Sequence, residues 1–287
     1  INYQFFLRTK IKNPKLDKIR KENDYLFIHI PKSGGTSLIK DFFHKYSSFQ
    51  FVRFLGFSYL GKISISGNPK KKRLPKICGG HFRNGTVKKS VTGFYIDDLS
   101  YEKLFHDNIK LITFLRDPIS RAISMYKFLN QLSLPFYKMS LREFLVHMFV
   151  YKSFIPFSNG YLNRKRIKEI LRIHKNIDDF MLNYNLSVVS DYFPTGTNES
   201  NFKDVIQKRY LFIGIVDHME ESVRKLKTAL SNCEENYETP KVLNKTQFSM
   251  DTNPKKETID SFKKKYSLDF IVYDYVRKGF ESQWFKI

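Results

Sequence analysis

Short, nearly continuous apolar runs alternate along this chain with stretches in which apolar residues recur every three or four positions. The clearest runs are Tyr25–Ile30, Lys110–Leu115 and Tyr210–Ile215, and such runs are typical of strands that are covered on both faces. Ile77–His81 predicts a further, shorter strand. Strands that alternate with helices predict an α/β fold with a central, mostly parallel sheet flanked by helices.

The stretches between these runs predict helices. Asp117 and Pro118 give one of them a strong beginning, because Asp is a favoured N-cap and Pro suits the first helical position. Gly61–Lys76 is rich in Gly, Ser and Lys and predicts a long exposed loop. The predicted helices cover Thr36–Tyr46, Ile119–Asn130, Ser140–Tyr151, Arg166–Leu182 and His218–Leu230, and two more lie within Lys255–Phe280.

The chain has 287 residues, of which 41% are hydrophobic, enough to bury a large core in one domain. We expect a single domain over residues 1–287 that begins with a polar arm at residues 1–23. No apolar run approaches the roughly 18 residues needed to cross a bilayer. The two cysteines set no disulfide framework and no Cys/His cluster has metal-ligand spacing, so no metal is expected. A cytoplasmic location is expected, with the Golgi lumen as the alternative if an N-terminal anchor was removed.

A net charge of +22 favours an anionic partner. A composition biased towards Lys, Asn, Ile, Phe and Tyr explains the charge equally well. Only the placement of the charges decides between these interpretations. Basic clusters that either line a binding groove or form solvated faces occur at Lys70–Arg73, Lys88–Lys89, Arg164–Arg166 and Lys263–Lys265.

The first predicted strand leads into a glycine-containing loop, Pro31–Ser37, and then into a helix. Gly34 and Gly35 allow the backbone to turn tightly and present successive N–H groups, and the helix adds its positive end, a combination that binds phosphate. In a Walker loop the Lys follows the last Gly, whereas here Lys32 precedes the glycines. A nucleoside triphosphatase is therefore disfavoured, and a phosphate cradle or a simple tight turn remains.

A second candidate phosphate site follows another predicted strand. Arg116 lies at the strand end, and Ser124 follows on the helix that Asp117 caps. A guanidinium and a hydroxyl that meet at one end of this helix would bind phosphate through charge-assisted hydrogen bonds. Two such sites on adjacent strand–helix units fit a nucleotide with separate 3′ and 5′ groups. An ion pair between Arg116 and a nearby carboxylate is the structural alternative.

One segment of interest is Phe27–Ser37, and a second is Phe114–Pro118, which continues through Arg121, Ser124 and Tyr126. They resemble, in that order, the 5′-phosphosulfate and 3′-phosphate motifs of the carbohydrate O-sulfotransferases. Members of that family act on heparan sulfate, chondroitin and dermatan, and there are bacterial homologues. The resemblance implies a P-loop-like three-layer fold and the donor 3′-phosphoadenosine 5′-phosphosulfate (PAPS). It also implies that the 5′ end is held by Lys32, Ser33, Gly34, Gly35, Thr36 and Ser37, and the 3′-phosphate by Arg116 and Ser124.

An acceptor hydroxyl needs a general base, because it loses its proton as it attacks sulfur. His81 is the strongest candidate, since imidazole titrates near neutrality and its Gly-His-Phe setting resembles the segment that supplies the base in relatives. A hydrogen-bonded structural histidine is the alternative, and His29, inside the first strand, is expected to be buried structure. In the expected in-line displacement, Lys32 neutralises charge on the leaving oxygen. Arg83 is expected to contact an acceptor carboxylate or sulfate.

The donor motifs leave the acceptor open. A carbohydrate hydroxyl is expected from the resemblance, on an acidic polysaccharide that the basic clusters would attract, and a small metabolite, a lipid or a protein tyrosine is the alternative. A basic nucleic-acid-binding protein with an incidental glycine loop is an alternative of another class. It would need an aromatic-basic binding module, and none is recognisable in the sequence, so no nucleic-acid partner is expected.

Overall fold

The computed structural model describes residues 24–43, 47–55, 62–67, 76–80, 101–105, 108–133, 167–230 and 252–281. Within these ranges, six strands form one sheet in the order β3-β2-β4-β1-β5-β6. Neighbouring strands are parallel except for β2 and β3, which pair antiparallel at one edge. The predicted α/β fold with a mostly parallel sheet is confirmed. The strands are β1 (Tyr25–Ile28), β2 (Ser48–Leu55), β3 (Lys62–Gly67), β4 (Lys76–Gly80), β5 (Lys110–Leu115) and β6 (Tyr210–Ile215).

The sequence of β1 explains its central position. Leu26, Phe27 and Ile28 are buried, and consecutive apolar residues suit a strand that is covered on both faces. Ile28 pairs with Gly80 of β4 on one side and with Thr113 of β5 on the other, and Thr113 Oγ1 donates a 2.9 Å hydrogen bond to the Ile28 carbonyl. Because parallel strands share a carboxyl edge, the segments that follow β1, β4, β5 and β6 all begin at that edge.

The helix after β1 is short and changes type. Its first part, α1 (Gly35–Ser37), continues as a π-helical stretch over Leu38–Phe43. None of the helices in the described ranges is long and apolar enough to cross a membrane. The helices that follow α1 are α2 (Tyr101–Leu104), α3 (Pro118–Ser133), α4 (Ile177–Asn183), α5 (Val189–Tyr192), α6 (Phe202–Arg209), α7 (Met219–Leu230), α8 (Lys256–Lys265) and α9 (Ser267–Glu281). A 3₁₀ turn, Val216–His218, precedes α7, and residues 167–173 are also helical.

Two hydrophobic clusters hold these elements together. The larger one contains the buried side chains of the sheet and the residues that cover it. The smaller one joins α3 to α4 and α8, and the rings of Tyr126 and Phe180 lie 5.2 Å apart at their centroids within it. From α3 it takes Ala122, Tyr126 and Leu129, a stripe at helical spacing that anchors one side of the helix.

A buried polar network also ties α3 to α9. The Arg121 guanidinium donates a hydrogen bond to the Leu186 carbonyl. The Asp269 carboxylate accepts hydrogen bonds from the backbone N–H groups of Val188 and Val189, at 2.7 and 2.8 Å. Burial raises the pKa of Asp269, while the two backbone donors act in the opposite direction. Arg121, although it lies in the motif with Arg116, therefore serves the packing of this region.

Several sequence predictions match the observed elements. β5 and β6 have the predicted bounds, and two C-terminal helices are present. β1 ends at Ile28, two residues early, because the Ile30 N–H bonds back to the Ile28 carbonyl. Residues 1–23 and Ser140–Tyr151, for which an arm and a helix are predicted, lie outside the described residues.

Other predictions are wrong. Arg166–Leu182 is not one helix, because Asn176 Oδ1 accepts a hydrogen bond from the Asp179 N–H and begins α4. Gly61–Lys76 is not a continuous loop, since it contains β3 and the first residue of β4. Ile63 and Ile65 alternate with serines in β3, the pattern of an edge strand that needs few apolar residues.

Candidate active site

The loop after β1 contains two left-handed residues, a feature that anion-binding nests share. Lys32 has φ +67° and Gly34 has φ +71°, while Ser33 between them does not have a positive φ. Alternation of right- and left-handed residues turns successive N–H groups towards one point, where they bind anions. Gly34 tolerates this conformation readily, whereas Lys32 holds it at a cost of about 1 kcal/mol.

Gly35 is required by its close contact with His29. A Cβ atom at Gly35 would lie 2.0 Å from the His29 ring, so any side chain there would displace either the ring or the loop. His29 is 8% exposed, and its ring stacks on Phe27 at a centroid distance of 5.9 Å. The prediction that His29 is buried structure is confirmed: its ring packs beneath the loop.

The loop also contains polar groups that suit an anion. The Ser33 hydroxyl is buried and has no hydrogen-bond partner within the described residues. Gly34 caps α1 without a side-chain hydrogen bond, and the first N–H groups of a helix have no partner within the helix itself. An oxyanion that accepts hydrogen bonds from these groups would satisfy them, so the loop fits a phosphate or sulfate group.

Arg116 brings a positive charge to the same loop from the end of β5. Its Nη1 atom lies 3.5 Å from the Lys32 carbonyl oxygen, at the long limit of a hydrogen bond. Its Nε atom is buried and lacks a hydrogen-bond partner in the part of the chain that the structure describes. No carboxylate pairs with Arg116 among the described ion pairs, which argues against the structural alternative.

Lys32 is the cation of the loop itself. Burial, and secondarily the charge of Arg116, lower the pKa of Lys32 to about 8. Its ammonium nitrogen lies 4.3 Å from the centroid of the Phe128 ring on α3. The lysine side chain therefore crosses from the β1 loop to α3, and its charge state is sensitive to pH near neutrality.

Asp117 begins α3 as predicted. Its Oδ1 accepts a 2.7 Å hydrogen bond from the Ser120 N–H, the standard N-cap interaction. Ser124 is half-buried on the same helix, about 9 Å along the axis from Pro118. The structure brings Arg116 to Lys32, and the phosphate site shared by Arg116 and Ser124 stays a prediction.

The segment after β6 closes one side of the loop. Met219, at the start of α7, lies so close to Gly34 that a Cβ atom there would be 2.4 Å from its methyl group. The Ser222 hydroxyl bonds to both the N–H and the carbonyl of Ile215 and fixes the turn. Tyr273 donates a 2.8 Å hydrogen bond to Asp217. Only tertiary packing reveals these neighbours, so the sequence interpretation missed them.

His81 and Arg83 lie outside the described residues, as do three of the four basic clusters. β4 ends at Gly80 beside Ile28 of β1, so the chain leaves β4 at the edge that carries the loop. The remaining cluster, Lys263–Lys265, is exposed at the end of α8, and Lys265 bonds to the Leu182 carbonyl.

These features define an α/β protein whose β1 loop and Arg116 form a candidate anion-binding region at the carboxyl edge of its sheet. The Sulfotransferase family model matches residues 18–276, which includes the whole sheet and the loop. The chain belongs to this family, whose members are enzymes that transfer sulfonate groups. A comparison with curated proteins found no match.

Proposed function

We propose that this chain transfers a sulfonate group from PAPS to an acceptor hydroxyl, on a carbohydrate, by in-line displacement. The observation that carries the proposal is the Lys32–Ser37 turn, with left-handed Lys32 and Gly34, placed directly against Arg116. A doubly phosphorylated nucleotide requires two anion sites that are close together. The closeness of the loop to Arg116 at the end of β5 supports such a pair of sites.

In this proposal the residues of the loop hold the 5′-phosphosulfate. The Ser33 hydroxyl and the N–H groups of Gly34, Gly35 and Thr36 donate hydrogen bonds to its oxygens, and Ser37 follows on the same helical turn. Arg116 and Ser124 hold the 3′-phosphate. Charge-assisted hydrogen bonds of this kind are stronger than neutral ones, and rigid donors place the sulfur for attack.

In this proposal Lys32 and His81 carry out the chemistry. The bond from the acceptor oxygen to sulfur forms while the bond from sulfur to the 5′-phosphate oxygen breaks. Lys32 offers its ammonium group to that leaving oxygen, where negative charge develops. His81 takes the acceptor proton as general base. Its sequence position directly after Gly80 supports this role, because β4 ends beside the loop.

The acceptor is proposed from the resemblance of the two motifs to carbohydrate O-sulfotransferases and from the charge of +22. An acidic polysaccharide is attracted by such a charge, and Arg83 would contact one of its anionic groups. A small metabolite, a lipid or a protein tyrosine remains the alternative acceptor for the same chemistry.

The proposed role of Lys32 predicts a pH dependence. The pKa of Lys32 falls from 10.5 to about 8 in the folded protein, so we expect kcat/KM to fall as the pH rises through about 8, where the ammonium loses its proton. Bound phosphate favours the charged form, so the limb in kcat should lie at higher pH. Lys32→Arg, which stays charged, should remove the limb. A limb that persists in Lys32→Arg would assign it to another group.

Thermal protection tests the donor directly. Adenosine 3′,5′-bisphosphate should raise the midpoint of thermal unfolding, whereas adenosine 5′-monophosphate should protect much less because it lacks the 3′-phosphate. Arg116→Ala should reduce protection by the bisphosphate about tenfold or more in apparent affinity. Protection by single-stranded DNA at moderate salt, without protection by the bisphosphate, would contradict the proposal and favour a nucleic-acid-binding protein.

A further inference from the structure

An aromatic ring faces the ammonium group of Lys32. The Nζ atom lies 4.3 Å from the centroid of the Phe128 ring, within the roughly 6 Å over which a ring face attracts a cation. Lys32 belongs to the loop after β1, and Phe128 belongs to α3, the helix after β5. The contact therefore joins the two strand–helix units that carry the proposed donor groups.

Within the described residues, core packing does not account for Phe128. The residues that anchor α3 in the smaller hydrophobic cluster are Ala122, Tyr126 and Leu129. At about 100° per residue, Ser124 and Phe128 lie on the opposite side of the helix from this stripe. Phe128 is half-buried and belongs to neither hydrophobic cluster of the described residues. Its ring is thus placed where it meets the lysine.

The position of the ring also fixes where the ammonium lies. Ser124 and Phe128 are four residues apart and so are neighbours on one helical face. At its other end, Lys32 accepts a long hydrogen bond from Arg116 at its carbonyl oxygen. The lysine is therefore held from two elements, at its backbone by the end of β5 and at its charged end by α3.

We propose that Phe128 is a positioning residue for Lys32: its ring keeps the ammonium group charged and holds it beside the Ser124 face of α3. The inference rests on the proposed function, in which Lys32 acts on the leaving oxygen. Phe128 itself touches neither donor nor acceptor; it acts through the lysine.

The physical reason is a balance of opposing effects on one charge. Burial and the Arg116 guanidinium both disfavour the protonated lysine. Among the described residues, Arg116 is the charged group that lowers the pKa of Lys32. The negative face of the Phe128 ring favours the protonated form. The ring also restricts a side chain that otherwise loses considerable rotamer entropy when it is ordered. Without the ring, Lys32 should lose its proton at lower pH and spend less time in one orientation.

A titration of Lys32 tests this inference without any donor. In protein carrying lysine labelled with ¹³C at Cε, the Lys32 resonance is assigned by its loss in Lys32→Arg. We expect Phe128→Leu to lower the pKa of Lys32 by about half a unit to one unit, and Phe128→Trp, which keeps a ring face, to leave it near the wild-type value. Phe128→Met serves as a second ring-free variant if the leucine variant is unstable.

Kinetics with PAPS supply the second readout. Phe128→Leu should lower kcat about tenfold and shift the alkaline limb of kcat/KM to lower pH by the same amount as the pKa, while affinity for adenosine 3′,5′-bisphosphate changes less than about threefold. Phe128→Trp should restore kcat. Phe270→Leu, the same change at a half-buried ring packed against the smaller cluster, is the matched control and should alter neither value.

The two readouts separate two failures. A wild-type protein without PAPS-dependent transfer would contradict the proposed function, and the titration would still measure the effect of the ring. An unchanged pKa of Lys32 in both ring-free variants would overturn the role of Phe128 even if transfer occurs. A loss of kcat that Phe128→Trp does not restore would also overturn the role of Phe128, because it would assign the loss to packing.

Discussion

Replacing Lys32 with alanine is expected to lower turnover at least about 100-fold while the protein remains folded, because the leaving oxygen then develops its charge without a cation beside it. The Lys32 side chain is half-buried, and its ammonium nitrogen lies 4.3 Å from the centroid of the Phe128 ring. The Pro31–Ser37 loop contains no second lysine that could replace it. Turnover is measured with saturating donor, and folding is checked by thermal unfolding.

Lys32→Gly is the control that separates the side chain from the backbone. Lys32 has φ +67°, a conformation that glycine adopts freely and alanine does not. Both variants lose the ammonium and should lose activity equally, yet Lys32→Gly should be the more stable by about 1 kcal/mol. If Lys32→Ala kept near-normal turnover, or if Lys32→Gly restored it, the catalytic role of the ammonium would be wrong.

The strands β1 and β5, which carry the candidate site, were predictable because each is a buried apolar run that is followed by a charged residue or a loop with a recognisable motif. The apolar run of β5 stops at Arg116, and that of β1 leads into Lys32. In a parallel sheet the carboxyl ends of neighbouring strands meet, so the proximity of these two residues follows once β1 and β5 are adjacent. Asp117 likewise marks the start of α3 through a local hydrogen bond.

The remaining features of the site depend on contacts between distant parts of the chain. The left-handed backbone of Lys32 is unusual for a non-glycine residue, and local sequence favours another conformation. Met219 reaches Gly34 only because α7 packs against the loop. The sequence does place Phe128 beside Ser124, because residues four apart lie on the same helical face. Only the fold shows that this face meets Lys32. β3 was missed because the Gly, Pro and Lys residues around its short alternation of Ile and Ser favour a loop, and no prediction covered β2.

His81→Ala is expected to lower turnover about 10²–10⁴-fold, the range that a positioned general base contributes. The acceptor must lose a proton as it attacks, and water is a poor substitute for an imidazole that titrates near neutrality. Protection of the variant by adenosine 3′,5′-bisphosphate should remain, because the base contacts the acceptor and not the donor. This combination, lost turnover with retained donor binding, distinguishes a base from a residue that supports the loop.

Two comparisons complete the test of His81. His218→Gln changes an exposed histidine that follows β6 at the same edge of the sheet, and it should leave turnover unchanged. Added imidazole should partly restore His81→Ala, since it replaces the missing base in the space left by the side chain, and the restored rate should rise with pH as imidazole becomes neutral. Near-normal turnover in His81→Ala would show that another group accepts the proton. Loss of donor protection in the same variant would show that His81 supports the fold of the loop, which is the structural role that competes with catalysis.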